Sequence, residues 1–267
     1  MRQYCLDLFK NNIFDFELYL NNYCNLKCKY CNRFCNITKN SMNYEKSQII
    51  EDLKYITSIC DCNVYLSGGE PLLYKDLENL LYEIRKFFKR QLVIQTNGKR
   101  FASFNESFYK ALNETNTEIQ FTRYVNSDID YDKLVSICKS YNITHYALEL
   151  DLYYDRNNII RDHFMIHKFT RTKNKCFSKT FYDCSLYHPC MWKSKIYVCG
   201  PSAFAENINL NNYKCGLEIS KINSLDDIKN FCTVPNRFCM NCKNDTPEQI
   251  SVKWETGKQD IQDFFED

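Results

Sequence analysis

The stretch Asn22–Asn36, "NYCNLKCKYCNRFCN", decides how the rest of the chain is read. It sets four cysteines, Cys24, Cys28, Cys31 and Cys35, into fifteen residues. Three chemistries compete for such a run: disulfides, zinc and iron–sulfur. Disulfide scaffolds are small secreted chains that cannot build an apolar core. This chain has 267 residues, 44% of them hydrophobic, with 19 Phe, 20 Tyr and 16 Cys. Its opening, "MRQYCLDLFKNN", lacks the apolar segment of a signal peptide. Those features make a cytoplasmic protein the expectation, where thiols stay reduced, and a metal the expected reason for the cysteines. A closed zinc site takes four donors, and Cys35 offers a fourth beside Cys24, Cys28 and Cys31. Three thiolates on one short loop also suit three corners of a cubane, leaving one iron open to a substrate or cofactor.

Composition excludes other classes. The 35 Lys and Arg against 33 Asp and Glu leave a net charge of +2, without the basic excess of a nucleic-acid partner. No apolar run approaches the ~20 residues of a membrane span.

From Phe14 to about Lys168 short apolar runs alternate with helical spacing. "FDFELYL", "CNVYLSGGE", "QLVIQTNG", "TEIQFTRY", "THYALELDL" and "DHFMIHKF" read as strands. Between them, "NYEKSQIIEDLKYITSI" sets Ile49, Ile50, Leu53 and Ile56 on one face, and "KDLENLLYEIRKFFKR" is amphipathic. "NESFYKALNE" and "DYDKLVSICKSYN" complete the helices. Strand–helix repeats predict a parallel sheet, and about six strands are too few for a closed eight-stranded barrel. The expected fold is α/β: a partial (β/α)6 barrel with a small cysteine-rich C-terminal domain. The expected parts are a lead-in at 1–13, the barrel at 14–175, the cysteine-rich domain at 176–248 and a tail or helix at 249–267. A tail of that kind is commonly solvated. Cys5, Cys60, Cys62, Cys138, Cys215 and Cys232 read as small buried hydrophobes.

Three turns at strand ends complete the pattern. "SGGEP", Ser67–Pro71, supplies Gly68 and Gly69 for close backbone approach and Glu70 as a carboxylate acceptor. "TNG", Thr96–Gly98, supplies Asn97; "FTRY" supplies Thr122 and Arg123. Each taken alone is an ordinary turn. All fall at C-terminal strand ends, where α/β folds bind ligands.

Together these resemble the radical S-adenosylmethionine (SAM) family, whose signature is a C-x3-C-x-aromatic-C loop after the first strand. The resemblance implies that Cys24, Cys28 and Cys31 ligate a 4Fe–4S cluster whose open iron takes SAM. It implies SAM contacts from Tyr30, Gly68, Gly69, Glu70, Asn97 and Thr122, and a reductant partner such as flavodoxin or ferredoxin. Further on, "PCMWKSKIYVC" reads as a β-hairpin, and "CSLYHPCMWKSKIYVC" followed by "CMNC" resembles the twitch form of the SPASM domain. That likeness implies a second, auxiliary 4Fe–4S cluster. Its ligands would be Cys199, Cys239 and Cys242 with either Cys184 or Cys190, and Ser194 stands where the pattern has Gly. A zinc ribbon is the alternative reading of those cysteines.

The resemblance implies reductive cleavage of SAM and hydrogen abstraction from a substrate. Twitch relatives include a dehydrogenase of an aminocyclitol alcohol and an enzyme oxidising a protein-bound Cys or Ser. A two-electron oxidation of a small molecule, with the auxiliary cluster as electron acceptor, is the expectation. A redox-neutral epimerase, a peptide-maturation enzyme and a non-enzymatic metal-binding module are the alternatives. Only about a dozen residues precede the first strand, which favours a small molecule over a leader-borne peptide. His145, His163 and His167 are candidate bases, and Lys168–Lys175 a basic run for an anionic substrate.

Overall fold

The computed structural model describes residues 9, 12–124, 127–149, 152–154, 160–162, 164–165, 169, 184, 188–205, 210, 215–242, 251–252 and 255–265. Its first half follows the alternation of the sequence. Strand β1 (Ile13–Asn21) leads through the cysteine loop to helix α1 (Lys46–Ile59). Then follow β2 (Asp61–Gly68), α2 (Leu77–Arg85), β3 (Leu92–Thr96), α3 (Glu106–Glu114), β4 (Glu118–Arg123), α4 (Tyr131–Ser140) and β5 (His145–Glu149). Strands β1 to β5 pair in chain order and in parallel. The helices close this side through apolar stripes, such as Leu77, Leu80, Leu81 and Ile84 on α2. On α1 the buried stripe is Ile49, Asp52, Leu53 and Ile56; Ile50 is only half-buried and a carboxylate shares the apolar face. Side-chain caps start α3 (Asn105 to the Phe108 N–H) and α4 (Asp130 to the Lys133 N–H).

Alternation gives the sheet two unlike faces. Phe14, Phe16, Leu18 and Leu20 of β1 are fully buried in the apolar core. Asp15, Glu17 and Tyr19 share the other face with their register partners Asn63, Tyr65 and Ser67. This face is polar: Asn63 donates to Asp15 at 2.8 Å, and Gln95 donates to Gln120 at 2.7 Å.

The sixth parallel strand expected at "DHFMIHKF" takes another form. Short strands β6 (Leu152–Tyr154) and β7 (Ile160–Asp162) pair with each other. Strand β8 (Phe164–Met165) pairs antiparallel with a segment at Ser251–Val252, outside the main sheet. The main sheet grows instead at the opposite edge. Strand β9 (Cys190–Trp192) runs parallel to β1, setting Cys190 beside Glu17, and β10 (Lys195–Tyr197) and β11 (Leu217–Glu218) extend it. Local apolar pattern marked "DHFMIHKF" as a strand but carried no information on its partner.

The β9–β10 turn is made without glycine. Lys193 and Ser194 both have positive φ, 47° and 59°, the pattern of a type I′ hairpin. The Ser194 N–H donates to the Tyr44 hydroxyl at 2.6 Å and its hydroxyl to Asp52 at 2.8 Å; Tyr44 donates to the same carboxylate. These bonds fasten the hairpin tip to α1. A short helix α5 (Gly200–Ala203), helix α6 (Leu225–Cys232) and strand β12 (Ser251–Val252) complete the elements. The boundary expected between residues 175 and 176 lies outside the described residues. Among the described residues no helix is long and apolar enough to cross a membrane.

Candidate active site

The cysteine loop leaves β1 at Asn21 and is irregular, so its shape depends on side-chain and tertiary bonds. Asn22 spans its two ends, donating to the Asn40 carbonyl at 3.0 Å and accepting from the Met42 N–H at 2.7 Å. Tyr30 and Phe34 sit in the left-handed region, φ 56° each. The Cys24 sulfur accepts from the Leu26 N–H at 3.3 Å and the Asn97 amide at 3.5 Å. Burial pushes the Cys24 thiol up, helped by the negative charge of Glu70 and by Cys31 and Cys28. The hydrogen bond from Cys35 pulls the Cys31 thiol down in spite of burial. Burial raises the half-buried Tyr124 hydroxyl, and Cys28, Cys24 and Cys31 add to it. Three thiols and one tyrosine therefore share a neighbourhood. Among the described residues no three His, Cys, Asp or Glu side chains are gathered tightly enough for a single metal ion. A cubane asks for thiolates at its corners, spread wider than the ligands of one ion. The all-thiol donor set fits such a cluster.

Ser67–Pro71 closes one side. A Cβ on Gly69 would stand 2.0 Å from the Tyr23 carbonyl oxygen, and one on Gly68 2.4 Å from that of Asn21. The close approach expected toward a ligand is thus made, in the chain itself, to the end of β1. Asn21 locks the contact, accepting from the Gly69 and Glu70 N–H groups at 3.1 and 3.2 Å and donating to the Glu70 carbonyl at 2.8 Å. The Glu70 carboxylate is buried and accepts from the Thr96 hydroxyl (2.6 Å), the Asn97 N–H (3.0 Å) and the Leu72 N–H (3.0 Å). Burial pushes its carboxyl up to about 7, with those three bonds working in the other direction. Asn97 joins the turn to the loop, donating to Asn25 at 2.9 Å. Thr122 lies at the end of β4, where its carbonyl accepts from the Tyr131 hydroxyl at 2.8 Å.

Arg33 ties the loop to the polar face of the sheet. It donates to Glu17 at 2.5 Å and Ser67 at 3.2 Å, and its guanidinium lies 5.0 Å from the Tyr19 ring centre. Burial works to raise the Glu17 carboxyl, but Arg33 and His188 overcome it and hold it below its ordinary value. Arg33, Asn21, Asn25 and Tyr124 were not singled out from sequence. Only their positions in the loop or at strand ends marked them.

The C-terminal cysteines sort themselves. Burial raises the Cys199 thiol, and neighbouring Cys184 and Cys239 add to it. Burial likewise raises Cys239, with Cys184 and Cys215 beside it. Cys184, Cys199 and Cys239 are thus brought together, and Cys242 closes the same turn, its N–H donating to the Cys239 carbonyl at 3.2 Å. Cys190 faces Glu17 and also lies near Cys199. Cys215, read as a mere buried hydrophobe, belongs to this neighbourhood. His145 bonds locally, 3.0 Å from the Ile143 carbonyl. His163, His167 and, apart from Phe169, the run Lys168–Lys175 lie outside the described residues.

A cysteine loop after β1 and glycine, carboxylate and amide turns at the next strand ends define an Fe–S, SAM-dependent class of enzyme. The model of the radical SAM superfamily matches residues 18–180, and the chain belongs to that superfamily. Curated relatives include a probable GTP 3',8-cyclase of Methanococcus vannielii, 30% identical over 114 residues. That match covers 42% of this chain and 38% of the relative. The corresponding protein of Methanocella arvoryzae is 27% identical over 139 residues, 50% of this chain and 41% of the relative. The chain thus spans about two fifths of the length of these relatives. Among solved structures, BtrN in complex with AdoMet and 2-DOIA superposes with a TM-score of 0.54 at 14% identity, covering 89% of this chain and 97% of that one. This supports a shared fold across the barrel and the cysteine-rich region.

Proposed function

We propose that this radical SAM enzyme carries out a two-electron oxidation, with a second 4Fe–4S cluster at the C-terminal cysteines as electron acceptor. The observation that carries the reading is the joining of β9 to β1. It brings the β9–β10 hairpin onto the strand that leads into the cysteine loop, and Cys199, two residues past β10, has Cys184 and Cys239 as neighbours. Four thiolates, Cys184, Cys199, Cys239 and Cys242, leave no open iron, which suits electron transfer better than substrate ligation. Cys184 is favoured over Cys190, which is committed to the face of Glu17.

When bound, the first cluster supplies the electron that cleaves SAM to methionine and a 5'-deoxyadenosyl radical. The chain's residues position and shield. Cys24, Cys28 and Cys31 hold the cluster. Glu70 offers its remaining lone pair, and the strand-end backbone its carbonyls, to the SAM ammonium. Asn97 and Thr122 flank the ligand, and Tyr30 and Tyr124 wall the loop from solvent. The polar face of Glu17, Ser67, Gln95 and Gln120 presents hydrogen-bonding groups to a small polar substrate. A reductant of the flavodoxin or ferredoxin kind delivers the electron.

The product distinguishes oxidation from epimerisation. The reduced enzyme, SAM and metabolites of its own cell, incubated in heavy water, should yield a product lighter by two hydrogens. A product of unchanged mass carrying one solvent deuterium would contradict oxidation and favour an epimerase.

A further inference from the structure

Residues 255–265 run along the cysteine loop, with Phe264 and Phe265 buried and the acidic and basic side chains facing solvent. The Lys29 N–H donates to the Glu255 carbonyl and the Gly257 N–H to the Lys27 carbonyl, both at 3.0 Å, and Cys28 forms an antiparallel bridge with Thr256. Phe264 meets Tyr30 and Phe34 edge-on at 6.0 and 5.2 Å between ring centres, and its carbonyl accepts from the Phe169 N–H at 2.8 Å. Main-chain pairing brackets Cys28, and aromatic packing fixes the residue before Cys31.

Resting on the assignment of Cys24, Cys28 and Cys31 to the first cluster, we propose that segment 255–265 is a strap built into that site, with Gln259 as its positioning residue. The Gln259 side-chain oxygen accepts from the Tyr30 N–H and from the Asn36 amide, both at 2.6 Å. The Tyr30 N–H fixes which way the amide points, because only oxygen accepts there. Its nitrogen is then buried with no hydrogen-bond partner among the described residues. Buried polar groups are rarely left so in a native protein. A donor held beside the Lys29–Tyr30 peptide, between Cys28 and Cys31 in the loop, serves thiolate or sulfide as acceptor, and hydrogen bonds to sulfur raise a cluster's potential. Gln259 thus has two tasks: its oxygen sets the loop, and its nitrogen serves the cluster.

Two variants of the full chain, reconstituted anaerobically, separate those tasks. Gln259→Leu removes both groups; Gln259→Glu keeps the acceptor and removes the donor. The iron followed is the pool missing from the Cys24→Ala, Cys28→Ala, Cys31→Ala triple variant. Gln259→Leu should lose it to a ferrous chelator roughly 10- to 100-fold faster than wild type, the range for outer-shell partners of metal ligands. Gln259→Glu should hold its iron nearer the wild-type rate, with a lower midpoint potential in an EPR titration. Melting of the apoproteins controls for folding, and if Gln259→Leu fails to fold, Gln259→Glu decides. Wild-type iron loss in Gln259→Leu, or a wild-type potential in Gln259→Glu, overturns the proposal. A triple variant that keeps all its iron sinks the cluster assignment itself, which is a separate failure.

Discussion

Glu70 carries two demands on one carboxylate. It caps the turn after β2 through the Leu72 N–H and receives Thr96 and Asn97 from β3, yet its carboxyl is pushed up to about 7 because burial outweighs those bonds. Between its ordinary 4.5 and about 7 the folded protein binds more protons than the unfolded one, so stability falls as pH rises through that window. The displacement is worth roughly 3 kcal/mol. Denaturant midpoints of the apoprotein from pH 4.5 to 7 should show that fall, and Glu70→Gln should flatten it. SAM should act in the opposite sense, because its ammonium favours the ionised carboxylate: affinity should rise from pH 6 to 8 in wild type only. Equal pH slopes in wild type and Glu70→Gln would show that Glu70 does not titrate in this range. The turn itself was legible in "SGGEP", but the partners of Glu70 were not. Thr96 and Asn97 come from another strand, and pairing between strands is invisible to local pattern. The same holds for Gly68 and Gly69, whose freedom was evident and whose neighbour, the end of β1, was not.

At the scale of elements, the strand–helix series was readable because each unit repeats a simple periodicity: β1 by its alternating Phe and Leu, α2 by its three buried leucines and one isoleucine. The hairpin β9–β10 was readable too, even with Ser194 in place of glycine. Unforeseen was the anchor that makes that substitution workable: Tyr44 and Asp52, contributed from before and within α1, hold the tip. Asp52→Ala would leave two hydroxyls without their acceptor and should destabilise the protein by about 2–3 kcal/mol. Ser194→Gly should be close to neutral, since release of the left-handed strain offsets the lost hydroxyl bond. Urea midpoints of the two variants test this. A larger loss in Ser194→Gly than in Asp52→Ala would show that the hydroxyl, not the carboxylate, is the anchor. The strap at 255–265 escaped the sequence for a plainer reason. Lys29 and Glu255 are 226 residues apart, and a polar segment with scattered acids reads as a solvated tail.

At the scale of the whole molecule, one sheet carries both cysteine neighbourhoods, with the N-terminal loop leaving one end of β1 and β9 lying along its edge. Two 4Fe–4S clusters amount to about eight irons per chain. Replacing Cys24, Cys28 and Cys31 with Ala should remove about half of that iron, and Cys239→Ala with Cys242→Ala the other half. Iron loss confined to the first set would leave the C-terminal cysteines to zinc, or to no metal, and would contradict the auxiliary cluster.

The account's central claim is that the loop Cys24–Cys31 with Glu70 and Asn97 forms a working SAM-cleaving site. It is tested most directly by chromatography of the nucleoside released when the anaerobically reconstituted, dithionite-reduced protein is given SAM. Wild type should yield 5'-deoxyadenosine and methionine without added substrate, and the Cys24→Ala, Cys28→Ala, Cys31→Ala variant none. No 5'-deoxyadenosine from iron-loaded wild type, or equal amounts from both proteins, would contradict it.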